Sequence, residues 1–482
     1  MAVLATPGFD LQPSAERVAL PSNYITNFDF LNQYLPDTYE KEFERYGNRT
    51  VASFLRMVGA EMPSNSDMIK WAEQGRLHTK YTGCVATGFA AGVAVATWLI
   101  PAAQVNPGAP ASTAPANGFT AVRVGQTVMI SDETAASTLS NKAIVTNVAA
   151  AAAAGTYAVT VAYYDQGGQT MGAAANCTMF IYGSEFQKGT NGMQGSIEAQ
   201  DFIFDNNPII IKDTYQVNGS DMAQIGWVEI ATENGGTGYL WYLKSEHETR
   251  LRFEDYLETA MVEAVPATVG GVGSGAATAG FNGSDGIFYV VNSRGNVWNG
   301  GNPVALAGFD SVIQRLDKQG AIEENVIFCN RQFSFDIDDM LAAQNSYGAG
   351  GTSYGLFDND EEMALNLGFT GFRRGYDFYK SDWKYLNDPT MRGGLTGGAV
   401  NGLMVPAGST TVYDQILGKN AKRPFLHVRY RASETEDRRY KTWITGSAGG
   451  ARTSDLDAMT VNFLSERAVC TLGANNFFLF RD

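Results

Sequence analysis

At 482 residues, 44% of them hydrophobic and 18% charged, the chain can bury a large core, has room for two to four domains and is not a disordered protein. Its 35 basic residues against 50 acidic ones leave a net charge of −15, which excludes a general phosphate binder, because nucleic-acid affinity rests on lysine and arginine neutralising backbone charge. Fifty-three glycines beside so few charges point to a β-rich chain with many turns, or to one that hides surface against copies of itself.

The first residues, Met1 to Gly8, lack the basic start and long apolar stretch of a signal peptide. Residues 1–48 are expected to form an N-terminal arm. Pro7, Pro13, Pro21 and Pro36 block long helices, while Phe9, Tyr24, Phe28, Phe30 and Tyr34 need somewhere to pack; an extended arm lying on a neighbouring subunit satisfies both. Short amphipathic helices are expected over Arg49–Val58 and Ser66–Gln74, the second capped from Asn65–Asp67, after which Leu77–Trp98 turns strand-like. The apolar run Val85–Ile100 is too short and too rich in Ala, Gly and Thr for a membrane span.

Residues 101–118 read as a Pro/Ala/Gly/Ser linker. Beyond it, Thr120–Ser131, Lys142–Val148, Gly155–Tyr164 and Cys177–Tyr182 alternate or carry β-branched runs between turn residues, and predict a small inserted barrel or sandwich. Ala149–Ala154 reads as a loop within it, Phe186–Val217 as extended chain with short strands, and Asp221–Ile230 as a short helix or a strand.

Tyr239–Ala264 is the stretch around which the rest is organised, and it reads as one long helix. Leu240, Leu243, Leu251, Leu257, Met261 and Ala264 fall on one stripe, with His247 and Glu254 in the two missing steps. Thr237 is placed to cap its start, Pro266 stops it, and Glu246–Arg250 and Glu248–Arg252 are i,i+4 pairs on the wet face. About 39 Å long at 1.5 Å per residue, it must lie across a sheet or another subunit.

Ala267–Gly280 reads as a flexible linker. The segments beyond it are expected to be a strand at Gly286–Val291, a helix at Phe309–Gln319, a buried strand at Asn325–Cys329 and a helix at Ser334–Gln344 capped by Ser334, an alternation of α/β type. Phe369–Lys384 has strand and turn character, 401–414 two strands about Pro406–Gly408, and Pro424–Arg431, Lys441–Thr445, Asp457–Leu464, Arg467–Leu472 and Asn476–Phe480 close the chain in β-structure.

No catalytic constellation emerges. Cys84, Cys177, Cys329 and Cys470 are too widely spaced for a zinc or redox motif and are expected to be free, buried thiols. His78, His247 and His427 have no second ligand at metal spacing, and His247 is expected as an ordinary helix histidine. Gly351, Ser353 and Gly355 match a nucleophile-elbow pattern with Asp382 and His427 following in triad order, but the pattern sits in a glycine-rich loop rather than between a strand and a helix. Gly271-Val-Gly273-Ser-Gly275 imitates a dinucleotide loop and follows a helix instead of a strand, and Lys188-Gly-Thr190 has the wrong order for a phosphate loop. The doublets Arg373-Arg374, Lys422-Arg423 and Arg438-Arg439 read as ion-pairing or subunit-contact residues.

Ser184–Gly189, Asp213–Ser220 leading into the long helix, and Asn325–Arg331 before a helix carry, by their order along the chain, a family likeness. The chain resembles the major capsid proteins of tailed bacteriophages with the Hong Kong 97-type fold, most like the larger versions in crAss-like and related podophages. That resemblance implies an α+β fold made of an N-terminal arm (1–48), an extended-loop region (49–117 and 185–219), an inserted small β domain (118–184), a peripheral domain with the spine helix (220–266) completed by return strands (424–482), and an axial domain with its linker (267–423). It also implies a virion protein, assembled in the host bacterial cytoplasm as hexamers and pentamers, enclosing DNA without sequence-specific binding and without a membrane. Portal, scaffolding and auxiliary or decoration proteins are the partners it suggests. No catalytic, cofactor-binding or metal residue and no cofactor is assigned. The alternatives are a self-assembling cellular compartment shell and a serine hydrolase using Ser353.

Overall fold

The structure is a computed structural model that describes residues 60–75, 78–87, 93–101, 120–133, 140–150, 156–165, 176–195, 201–224, 229–231, 237–267, 275–320, 322–345, 371–395, 397–414, 419–450 and 452–482. The arm (1–48) and the helix expected at Arg49–Val58 lie outside them. Two compact units divide the chain, one spanning residues 72–203 and the other comprising everything up to Trp71 and from Phe204 onwards.

The chain enters through strands β1 (Ala60–Ser64) and β2 (Ile69–Gln74). Ser66–Gln74 was expected to be helical; instead a turn held by the Met68 amide on Ser66 Oγ (3.3 Å) leads into β2, which pairs with β9 (Asp201–Asn206) and alternates in burial. Pairing to a strand 130 residues away outweighs a weak local helical pattern.

Between those two strands lies a closed six-stranded barrel of β3 (Lys80–Thr87), β4 (Val95–Ile100), β5 (Gln126–Asp132), β6 (Ser140–Ala150), β7 (Tyr157–Tyr163) and β8 (Cys177–Ser184), in the spatial order β3-β4-β7-β6-β5-β8. Alternate residues point inwards, and Trp98, Ile100, Val128, Ile130, Val159, Val161 and Met179 fill the interior. The barrel begins at Lys80, not at 118: β3 and β4, which the resemblance assigns to the extended loop, close it. A barrel has no free edges, so four strands would have left two of them open.

In the other unit, β10 (Ile209–Asn218) runs antiparallel to the 14-residue β22 (Ala458–Thr471), whose opposite edge takes β21 (Lys441–Gly446) and then β20 (Leu426–Arg431); β1 adds in parallel to β20. After β10 come helix α1 (Gly219–Gln224) and the small pair β11 (Glu229–Ala231) and β12 (Thr237–Tyr239), which delivers the chain into the long helix α2 (Leu240–Glu263). Helix α2 packs on β10 and β22: Phe253 and Leu257 meet Met459, Val461 and Phe463. The buried stripe is therefore Thr249, Phe253, Leu257 and Met261 with Val262, rather than the one centred on Leu251 and His247; His247 is exposed and Leu251 only half-buried. Leu257 and Met261 are buried as the spacing predicts, while the preceding turns bring Phe253 and Thr249, which the expected stripe did not include, towards the sheet. Arg250 pairs with Glu254 (3.6 Å) and Arg252 with Asp213 on β10 (2.9 Å), so the wet face is tied partly to the sheet.

Glu263 ends α2 by accepting hydrogen bonds from Tyr385 Oη (2.7 Å) and Arg392 Nη1 (2.8 Å). A short helix α3 (Gly275–Thr278) follows, then α4 (Ile287–Arg294) where a strand was expected. A short apolar run does not reveal its own period. Here Ile287, Phe288, Val290 and Val291 are all buried at helical spacing, and Gly286 lets the helix start against α2, since a Cβ there would stand 2.5 Å from the Ala264 carbonyl oxygen. Asn206 fastens the same corner: its Nδ2 donates to the Val469 carbonyl (2.7 Å), and its Oδ1 accepts from Ser284 Oγ (2.9 Å) and the Asp285 amide (2.8 Å).

A second, mixed sheet follows the order β13-β23-β17-β14-β16-β15, from β13 (Asn296–Asn299), β14 (Glu324–Cys329), β15 (Gly371–Arg374), β16 (Tyr376–Asp382), β17 (Val400–Pro406) and β23 (Phe478–Arg481). Helices α5 (Leu306–Gln319) and α6 (Arg331–Asn345) cover one face, meeting Ile327, Phe378, Met404, Phe478 and Phe480; the other face, through Phe328, Leu403, Val405 and Leu479, meets α4 and the end of α2. Burial on both faces explains why β17 reads as an unbroken buried run. Helix α6 starts earlier than expected: the cap is Asn330, whose Oδ1 accepts the Phe333 amide at 2.8 Å, and Ser334 lies inside the first turn. The short helix α7 (Lys384–Asn387) follows β16, and β18 (Ser409–Asp414) and β19 (Lys419–Pro424) form a separate hairpin.

Candidate functional site

Charged side chains gather where β1, β20, β22 and the 432–440 turn meet. Glu466, with 8% of its side chain exposed, forms an ion pair with Arg438, whose Nε lies 2.7 Å away, and accepts a hydrogen bond from Arg431 Nη1 at 3.2 Å. Its neighbour Arg467, at 7%, donates to Ser465 Oγ (2.9 Å) and to the Arg439 carbonyl (3.0 Å), and lies 3.4 Å from Glu61 on β1, which also holds Arg439. Arg431 reaches on to Asp67. In the turn itself Lys441 pairs with Glu436 at 2.8 Å and holds that carboxyl below its ordinary range. Each of these charges has an opposite charge within 4 Å, so the network can lock β1 and the turn onto the sheet.

Strand β21 continues from this turn. One edge is bonded to β22, and among the described residues its other edge carries no strand. Tyr440, Trp443 and Ile444 are 38%, 37% and 45% exposed along it. Further large apolar side chains stand out on the same unit at Phe281, Val304, Phe335 and Leu395. An unpaired edge with apolar side chains is a template for association, and soluble monomers normally blunt such edges.

The residues singled out for chemistry are not drawn together. His78 and His247 are exposed, while His427 is buried in β20 with Nδ1 3.1 Å from the Pro424 carbonyl. Asp382 is taken by Arg331 (2.6 Å) and by Asn387 Nδ2 (2.9 Å). Ser353, and Gly271 to Gly273 of the dinucleotide-like loop, lie outside the described residues, as do the side chains of Lys422 and Arg423. Arg373 pairs with Asp377 at 3.1 Å and Arg374 with Asp310, so with Arg438 and Arg439 these doublets are ion-paired. All four cysteines are free and buried; burial pushes Cys84, Cys329 and Cys470 up to about 12 and Cys177 to about 11. Among the described residues no group of three or more His, Cys, Asp or Glu is placed to hold a metal ion, and no helix is long and apolar enough to cross a membrane.

The Glu466–Arg467 network was not foreseen, although the sequence held a trace of it. Those two charges interrupt an apolar run, which is why β22 read as two strands, Asp457–Leu464 and Arg467–Leu472, when it is one.

No protein-family model and no curated protein matches the chain. Among solved structures, a chain of Microbacterium phage Oxtober96 is 11% identical at a TM-score of 0.37, over 95% of this chain and 99% of that one. The capsid of a native GTA particle is 10% identical at a TM-score of 0.36, over 96% of this chain and 99% of that one. A chain of Mycobacterium phage Ogopogo is 12% identical at a TM-score of 0.35, over 62% and 83%.

Proposed function

We propose that this chain is a major capsid protein, self-assembling as hexamers and pentamers into the icosahedral shell of a tailed bacteriophage around double-stranded DNA. The observation that carries the reading is the plan of the larger unit. A 24-residue helix lies across a sheet made jointly by early strands (β1, β10) and late ones (β20 to β22), with a two-face-covered α/β layer between them in sequence. The capsid resemblance implies a peripheral domain from 220–266 and 424–482, an axial domain from 267–423 and an inserted β domain; in this reading β1 and β10 are added to the peripheral sheet from the extended-loop residues, and β23 crosses to the axial layer. The division at Trp71 and Phe204 gives that insertion wider bounds than 118–184.

Assembly, not catalysis, is then the mechanism. Each subunit repeats the same modest contacts, and closed symmetry multiplies them. The open edge of β21 and the exposed Trp443 and Ile444 are suited to such contacts with a second copy. A net charge of −15 suits a wall that encloses DNA without gripping it. Portal, scaffolding and decoration proteins remain the further partners to look for, in a virion assembled in the bacterial cytoplasm.

Electron microscopy of the purified full chain tests this. Closed particles, or five- and six-fold capsomers, are expected. A monomer at every concentration would overturn the reading, and esterase activity lost in Ser353→Ala would replace it with the hydrolase.

A further inference from the structure

The outer wall of the barrel carries a shallow, open groove of about 560 Å³. It spans four neighbouring strands. Thr127 lies on β5, Lys142 on β6, and Tyr182 and Gly183 on β8, while Tyr164 and Glu185 directly follow β7 and β8. The backbone ladder keeps this wall continuous: Thr127 stands opposite Gly183, and the Tyr164 amide donates to the Lys142 carbonyl at 3.2 Å. Gly183 keeps the floor low, because a Cβ there would come within 3.1 Å of Thr127 Oγ1.

Two tyrosine rings face solvent here, Tyr164 at 51% and Tyr182 at 46% exposure. Both are oriented. Tyr164 Oη donates to Glu185 Oε2 at 2.5 Å, and Lys142 Nζ sits 6.0 Å from the centre of the Tyr182 ring. Burial and the Glu185 carboxylate that accepts its hydrogen bond push the Tyr164 phenol up to about 12. The groove thus combines flat apolar faces, an ammonium, a carboxylate and hydroxyls, with no excess of either charge.

We propose that this groove is a saccharide-binding site for a neutral hexopyranose chain. A sugar ring presents an apolar C–H face that stacks on tyrosine and a rim of hydroxyls that need donors and acceptors together, as Lys142 and Glu185 supply. A single-stranded nucleic acid would also stack, but it needs a positive groove, and here one lysine is offset by one glutamate. An extended peptide needs an open sheet edge, which a closed barrel does not offer.

The test is retention of the full-length protein on amylose resin, mannan-agarose and cross-linked dextran, with heparin resin as the anionic comparison. Retention on at least one neutral resin is expected, released by the matching soluble glycan. Tyr164→Ala and Tyr182→Ala should each weaken it by about tenfold or more, as loss of an aromatic anchor does, while Tyr182→Phe keeps it. Both side chains are on the surface, so an unchanged circular dichroism melt shows that the barrel is still folded. Failure to bind any neutral resin, binding confined to heparin, or retention unaltered by the two alanine changes would each overturn the proposal. None of these results depends on whether the chain forms a shell.

Discussion

Removing Phe253 is the most direct probe of the spine helix. The ring is fully buried between α2 and β22, 5.4 Å from Tyr440 in an edge-on arrangement and 5.6 Å from Phe463. Phe253→Ala forfeits the transfer free energy of the ring and leaves a cavity bounded by strands that cannot close on it, at a cost of about 3–5 kcal/mol. At about 2–4 °C per kcal/mol for a large domain, the melting temperature of that unit should fall by about 6–20 °C. Leu251→Ala, on a half-buried side chain, should cost less than about half as much. Arg252→Ala loses one ion pair with Asp213, half in water, for about 0.2–1 kcal/mol. Differential scanning calorimetry of unassembled subunits reads all three, and the barrel, whose core shares no residue with Phe253, supplies an internal reference transition. If Phe253→Ala and Arg252→Ala melt together, the face assigned to the helix is wrong.

Glu466→Gln should cost about 2–3 kcal/mol by chemical denaturation, below the roughly 3–5 kcal/mol of a fully buried pair because Arg431 and Arg438 stay partly wet; Glu436→Gln, on an exposed pair, should be hardly detectable, and equal effects would remove the network's structural role. Burial raises the Asp285 carboxyl, so its contribution to stability is full below its unfolded value and is lost as the pH rises through the folded one. Asp285→Asn should accordingly raise the melting temperature at pH 7 but not at pH 3, and a lower value at pH 7 would contradict the assigned cause. With their thiols held near 11 and 12, the four cysteines should resist iodoacetamide at pH 8 in the folded chain and react once it is unfolded; rapid labelling of the native protein would show that they are not sealed in.

Long periodic segments were legible in the sequence. The helices around Phe253 and Phe309, the four later barrel strands and the buried strand at Asn325–Cys329 were all readable because period and punctuation agree there. What failed were decisions that belong to distant partners. Residues 286–291 became a helix because α2 and the β17–β23 layer leave room for one, and Ser66–Gln74 became a strand because β9 lies beside it. The barrel's start was misplaced since β3 and β4 announce themselves only when they close a circle. Of the candidate sites, the ion-paired arginine doublets and buried thiols could be anticipated from residue type; the Glu466–Arg467 network needed four separate elements to be brought together first.

The placement of β22 and β23 also sets a schedule for synthesis. Each runs through the middle of a sheet, β22 between β10 and β20 and β23 between β13 and β17, so neither sheet can close until residues 458–481 have emerged from the ribosome. The barrel needs nothing beyond Ser184 to complete its ring of strands. At 5–20 residues per second it has about 15–60 s to fold before β23 exists. Throughout that interval the nascent chain carries a finished barrel ahead of a helix and strands whose apolar faces still wait for partners, and those faces stay open to neighbouring copies until the subunit's own last strands fill them.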